Sequence, residues 1–175
     1  MKVYDIIQVL EVKLAELDLY LEITICGGAA IQMLGYSNRP TKDIDVILPK
    51  LPDMVTPLIR EIAQEHHLAK DWLNNGPEAL IHELEPGWEQ RSCIIYDTKN
   101  LVIRALSRQD LIFSKLYAMC DRREDIRDLI AMKVTGSELH KAGILVKEKD
   151  GHPDWPDWVD QCIDEICTTQ KLQKE

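Results

Sequence analysis

The chain has 175 residues, 45% of them hydrophobic and 29% charged, and a formal net charge of −9. That length fits one domain, or a small core with a helical extension, and the composition is that of a globular protein rather than a disordered one. The excess of acid argues against broad adhesion to nucleic acid, which relies on Lys and Arg displacing counterions, but leaves room for a structured RNA held by a local basic patch. No apolar run reaches the eighteen or so residues of a membrane span, and the opening Met1-Lys2-Val3-Tyr4-Asp5 is not a secretory signal. Five cysteines in odd number, with no C-x-x-C pair, do not suggest a disulfide framework. The expectation is a cytoplasmic protein with no membrane partner.

In chain order, Val3, Ile6, Ile7, Leu10, Leu14 and Leu17 recur at three- and four-residue steps and predict an amphipathic first helix. Leu21–Cys26 has the β-branched content of a strand, and Ala29–Leu34 reads as a helix that starts at Gly27-Gly28. Glycines at a strand-to-helix turn let the main chain approach a ligand closely, and the unpaired N–H groups that open a helix favour an anion such as a triphosphate. Pro40 restricts the residue before it to extended geometry, so Arg39 belongs to the loop that follows, where it is a candidate phosphate contact. Ile44–Leu48 reads as a second strand. Residues two apart share a strand face, so Asp43 and Asp45 point one way while Ile44 and Val46 point into the core.

Two carboxylates on one face suit one or two magnesium (or manganese) ions, which bridge phosphate oxygens and lower the pKa of an attacking hydroxyl. This is the equipment of phosphoryl or nucleotidyl transfer. After Pro49 and Pro52, Asp53–His67 reads as a helix with Val55, Leu58, Ile59 and Ile62 inward, and 71–77 ends in turn chemistry, with Trp72, Asn74 and Asn75 as candidate base or ribose contacts. Arg91–Tyr96 and Leu101–Leu106 read as a hairpin, for a sheet of about four strands.

The second half reads as helical. Ser107 caps one helix, and Asp121-Arg122-Arg123-Glu124 has the pattern of a capping box opening another. Further helices are expected near 137–148 and 156–172, the last with Trp155 and Trp158 docking onto the domain. A helix step of about 100° puts Lys115 between Leu111 and Met119, on the core side, where a charge needs a partner. Asp125 and Asp128, three apart, share a helix face. Arg122, Arg123 and Arg127 form the one small basic cluster available to RNA, or are surface charges. The domain reading is a 1–106 α/β core and a helical 107–175 portion packed on it.

The order Gly27-Gly28-Ala29-Ala30, short helix, then Thr41-Lys42-Asp43-Ile44-Asp45-Val46 resembles the nucleotidyltransferase fold of the DNA polymerase beta superfamily, and in particular the AbiEii-type toxins and their bacterial relatives. Leu111–Ala118, containing Lys115, and Arg122–Leu129, containing Asp125 and Asp128, are similar to the downstream lysine and aspartate motifs of those toxins. The resemblance implies an α+β fold, a small mixed sheet flanked by helices with a helical C-terminal half, and a metal-dependent transfer of a nucleotidyl group from an NTP to a hydroxyl. The acceptor would be RNA, a tRNA end by the toxin likeness, or a protein, with an antitoxin as a further partner. It implies metal binding by Asp43 and Asp45, nucleotide binding by Gly27, Gly28, Arg39, Thr41 and Lys115, and an acid–base or metal-supporting role for Asp125, with Asp128 the nearest competitor.

The pattern departs from the superfamily in two places. Alanines stand where a serine usually follows the glycines, and Leu101–Ala105 offers Arg104 and no third carboxylate. One magnesium is therefore as good an expectation as two. Two other function classes stay open: a non-catalytic nucleotide- or protein-binding module, and a glycosyltransferase using Asp-x-Asp to hold a metal and a nucleotide sugar.

Overall fold

The computed structural model describes residues 2–122 and 126–170. Among them the order is α1 (Val3–Glu16), β1 (Leu21–Cys26), α2 (Gly27–Met33), β2 (Ile44–Leu48), a 3-10 turn (Asp53–Val55), α3 (Thr56–Glu65), β3 (Leu73–Asn74), a second 3-10 turn (Glu78–His82), α4 (Trp88–Arg91), β4 (Cys93–Asp97) and β5 (Leu101–Ala105). Helices α5 (Arg108–Arg122), α6 (Ile126–Ala131), α7 (Gly136–Lys147) and α8 (Trp155–Gln170) follow. This is the mixed α+β arrangement expected of a nucleotidyltransferase-like fold. The described residues divide into two compact units, one from the N-terminal region through His82 with Glu89–Leu106, the other from Glu83–Trp88 with the residues from Ser107 on.

The first unit is built on a five-stranded sheet of order β3-β2-β1-β5-β4. Strand β1 pairs antiparallel with β2 and parallel with β5, β3 adds parallel to β2, and β4 closes the other edge antiparallel to β5. Alternation sorts the two central strands by face. Leu21, Ile23 and Ile25 lie beside Leu101, Ile103 and Ala105, all buried, and α1 contributes Val3, Ile6, Ile7, Leu10 and Leu14 to the same unit's core. The opposite face carries Glu22, Thr24 and Cys26 of β1 and Val102 and Arg104 of β5.

Several expectations change. Leu17 is not part of the helical core: it is the residue after the last turn of α1 and is 57% exposed. The predicted helix over 53–67 opens as a 3-10 turn, and α3 begins at Thr56, where Pro57 sits in the first turn that tolerates a missing N–H. The sheet has five strands, not four, because Leu73–Asn74 pairs with Ile44 and Asp45, and the Ile44 N–H also donates to the Trp72 carbonyl at 2.6 Å. Trp72 is fully buried, its indole N–H donating to the Ile59 carbonyl at 2.9 Å, so it is a core residue and not a ligand contact.

In the second unit α5 packs against α6, α7 and α8, and α7 packs against α8. Ser107 caps α5 as expected, its Oγ accepting the Asp110 N–H at 3.3 Å and donating to Asp110 Oδ2 at 2.5 Å. No helix starts at Asp121: that residue and Arg122 continue α5, while Arg123, Glu124 and Asp125 lie outside the described residues. Helix α7 begins with a full capping box between Thr135 and Glu138. Trp155 and Trp158 anchor α8 as expected, donating to the carbonyls of Val146 and Cys120 at 2.8 Å each. Among the described residues no helix is long and apolar enough to cross a membrane.

Candidate active site

Strand β1 delivers the chain to the glycine turn. Cys26 is still extended (φ −131°), and Gly27 then turns to φ +65°, a conformation that costs a side-chain-bearing residue but not glycine. The first turn of α2 follows at once. Register places Cys26 of β1 opposite Asp45 of β2, so the aspartate-bearing strand runs directly beside the turn. A Cβ built on Gly27 would sit 2.8 Å from Asp45 Oδ2, and one on Gly28 would sit 3.2 Å from Thr41 Oγ1. Gly27 is therefore required by close approach and by its backbone conformation, while a side chain at Gly28 would press on the Thr41 hydroxyl.

The two aspartates are held differently. Thr41 Oγ1 lies 3.2 Å from the Asp43 carbonyl oxygen and 3.4 Å from its Oδ1, tying the turn before β2 to that side chain. Asp45 stands in register with Asn74 on β3, whose Nδ2 lies 3.4 Å from Asp45 Oδ1. The orientation of that amide follows from its other contacts, since Asn74 Oδ1 accepts the Gly76 N–H at 2.5 Å and Nδ2 donates to the Asp71 carbonyl at 3.1 Å. Asn75 has a different task. Its amide bonds the Leu51 N–H and the carbonyls of Val46 and Pro49, clamping the exit of β2.

Arg39 lies in the loop between α2 and β2, as expected, and is exposed; Gln32 Nε2 donates to its carbonyl at 2.8 Å, and Gln32 Oε1 accepts the Val3 N–H at 2.8 Å. Thus Gly27, Gly28, Thr41, Asp43 and Asp45 come together in the first unit, with Arg39 on the loop that enters it. Among the described residues no three His, Cys, Asp or Glu side chains are grouped to hold a metal ion. The half-buried Asp43 and Asp45 are nevertheless a chemically suitable pair for magnesium, which commonly binds through one or two carboxylates and completes its shell with phosphate oxygens and water.

Lys115 and Asp128 belong to the second unit. Lys115 Nζ lies 2.8 Å from Asp128 Oδ2, with only 11% and 5% of the two side chains exposed. The core-side lysine thus has a carboxylate partner on α6, and Asp128 is a buried group rather than a solvated helix-surface acid. Asp125 lies outside the described residues. Arg122 and Arg127, proposed as part of an RNA patch, are both exposed.

The sequence marks Asn74 as a candidate base or ribose contact, and its place against Asp45 comes from the β2–β3 pairing. The Asn-Asn-Gly-Pro run signals a turn, and nothing local in it announces that its first residue pairs with the aspartate strand.

A glycine turn pressed against the end of an Asp-x-Asp strand, in an α+β unit with a mixed sheet, defines a nucleotidyltransferase-like domain. The chain belongs to the family described as nucleotidyltransferase of unknown function (DUF6036), whose model matches residues 1–141 and so spans every site residue named above. Comparison with curated proteins and with solved structures gives no match.

Proposed function

We propose that this protein transfers a nucleotidyl group from an NTP to a hydroxyl on RNA or protein, with Asp43 and Asp45 holding magnesium or manganese and the Gly27-Gly28 backbone lying against the phosphates. The observation that carries the reading is the approach of Asp45 to Gly27, which leaves no room for a side chain between carboxylate and turn. Main-chain N–H groups and carboxylates are then the groups available to a metal-bound phosphate, and family membership supports the same class of reaction. When bound, the ion would neutralise charge on the phosphates and acidify the attacking hydroxyl.

In the reaction the acceptor oxygen forms a bond to the α-phosphorus as the bond to pyrophosphate breaks, and the hydroxyl proton passes to a base. Thr41 orders the approach to Asp43 and Asn74 orients Asp45; the toxin likeness assigns Lys115, which pairs with Asp128, to phosphate. Asp125 is the residue the toxin likeness assigns to an acid–base or metal-supporting role, with Asp128 its competitor, and that likeness favours a tRNA end as acceptor and a toxin paired with an antitoxin. A single incubation tests the core of this reading. Each of four α-labelled NTPs is mixed with magnesium and total bacterial RNA and protein, comparing the wild type with Asp43→Ala plus Asp45→Ala. Label that depends on the wild type identifies base and acceptor class together; equal label in both samples would sink the proposal, and nucleotide binding without transfer would favour a non-catalytic binding module.

A further inference from the structure

We propose that Arg104 is a phosphate-binding residue on the same sheet face as Asp45, set in place by Ser92; its assignment to a nucleotide or to an acceptor rests on the nucleotidyltransferase reading, but the binding itself does not. The placement follows from register. Asp45 faces Cys26, Thr24 is two residues before Cys26 on β1 and so shares its face, and Thr24 lies beside Arg104 on β5. Two strand spacings set the backbones of Asp45 and Arg104 about 10 Å apart across the sheet, and two residues add about 7 Å along it. The Ser92 contact lies on the β4 side of β5, away from β1, so the guanidinium stands at the outer part of this face.

The guanidinium is directed by two hydrogen bonds. Arg104 Nε donates to Ser92 Oγ at 3.0 Å and Nη2 donates to the Ser92 carbonyl at 3.1 Å, a two-pronged grip on one residue. Ser92 is itself buried, and its hydroxyl proton goes to the Glu89 carbonyl at 2.6 Å, which leaves the Oγ lone pairs for the arginine. Ser92 precedes Cys93, and Cys93 pairs with Ala105, so the grip draws the guanidinium toward the C-terminal end of β5. Strands β1 and β5 are parallel, so that is the end at which β1 runs into Gly27.

The charge balance points to an anion. Arg104 is half-buried, yet among the described residues no carboxylate lies within ion-pairing distance of it. Its Nη1 takes no bond from those residues, and no buried nitrogen among them lacks a partner, so Nη1 opens to solvent. A fixed, partly desolvated guanidinium without a counter-ion, in a chain of net charge −9, is a site for an oxyanion, and its planar fork fits phosphate. The ligand class is a phosphate group, from the polyphosphate of a nucleotide or from the backbone of an RNA acceptor.

The test uses full-length protein with 15N-labelled arginine and two probes, inorganic tripolyphosphate and a single-stranded RNA 12-mer without a terminal phosphate. The Arg104 Nε resonance, assigned by its loss in Arg104→Gln, is expected to shift on titration of one probe. Arg104→Gln is expected to weaken that probe about 10- to 100-fold, with Arg104→Lys in between. A shift with tripolyphosphate assigns the site to the nucleotide, and a shift with RNA alone assigns it to the acceptor. Should Arg104→Gln misfold, Ser92→Ala is read in its place, since it removes one prong of the grip and should weaken the same probe. An Arg104 resonance unmoved by either probe overturns the proposal. Failure of the catalytic reading shows separately, as tripolyphosphate binding by a wild type that transfers no label from any NTP.

Discussion

Lys115 Nζ meets Asp128 Oδ2 at 2.8 Å across α5 and α6, and both side chains are almost fully withdrawn from water. A buried ion pair of this kind adds little net stability, because desolvation of two charges offsets their attraction, but removing one partner takes this contact from a charge that stays buried. Asp128→Ala should therefore destabilise the protein by about 3–5 kcal/mol. Lys115→Met combined with Asp128→Leu should cost much less, and denaturant unfolding of the single and double variants measures the difference. If the lysine also serves phosphate, the double variant will be folded but unable to bind nucleotide, which separates the structural from the functional role.

Gly27 and Gly35 make a matched pair of tests. Both have positive φ, +65° and +76°, but a Cβ at Gly27 collides with Asp45 Oδ2 while one at Gly35 meets nothing within 4 Å. Alanine at either position should cost about 1–2 kcal/mol of backbone strain. Only Gly27→Ala should also displace the Asp45 carboxylate, so its nucleotide affinity should fall at least tenfold while Gly35→Ala binds like the wild type. Isothermal titration with a non-hydrolysable NTP and manganese checks this, and equal affinities in the two variants would remove the glycine turn from the site.

Glu138 carries the clearest pH signature. The Arg108 guanidinium, at 2.6 Å, together with the Thr135 backbone N–H, holds its carboxyl at about 2, down from the ordinary 4.5. A carboxylate whose pKa is lowered on folding stabilises the protein above its unfolded value, and that stability drains away as pH falls through the folded one. Glu138→Gln should thus lower stability by about 1–2 kcal/mol at neutral pH, a figure reduced for solvent screening of this partly exposed pair. The gap between variant and wild type should close as pH drops from about 4.5 toward about 2, which thermal melts across that range will show.

The parts of this molecule that announce themselves in sequence are those set by neighbours a few residues away. Cys26-Gly27-Gly28 and Ile44-Asp45-Val46 carry their turn and their strand locally, and the one-sided spacing of α1 is visible in its leucines and isoleucines. What stays hidden depends on distant pairing. Strand β3 is two residues long and exists through its ladder to Ile44 and Asp45, and Trp72 looks like a loop aromatic until α3 covers it and takes its indole N–H. Asp121-Arg122 opens a pattern with the local signature of a helix start, but both residues continue α5.

Asn74 and Asn75 are adjacent amides with separable consequences. Asn75 bonds one N–H and two carbonyls at the exit of β2, and its replacement by alanine leaves three backbone groups without those partners, at a cost of about 2–3 kcal/mol. Asn74 instead faces Asp45 Oδ1 and ties its own turn through Gly76, so Asn74→Ala should cost less stability but loosen the carboxylate. Asn74→Asp should do something different again: a third carboxylate beside Asp45 raises the charge of the site. Manganese titration followed by electron paramagnetic resonance, with a non-hydrolysable NTP present, should then report tighter or additional ion binding for Asn74→Asp and weaker binding for Asn74→Ala. Asn75→Ala should retain wild-type ion binding under conditions where it remains folded, because its bonds end on backbone and not on the aspartates. Identical manganese binding in all three variants would mean that Asp45 needs no help from β3, and the role given to Asn74 would be withdrawn.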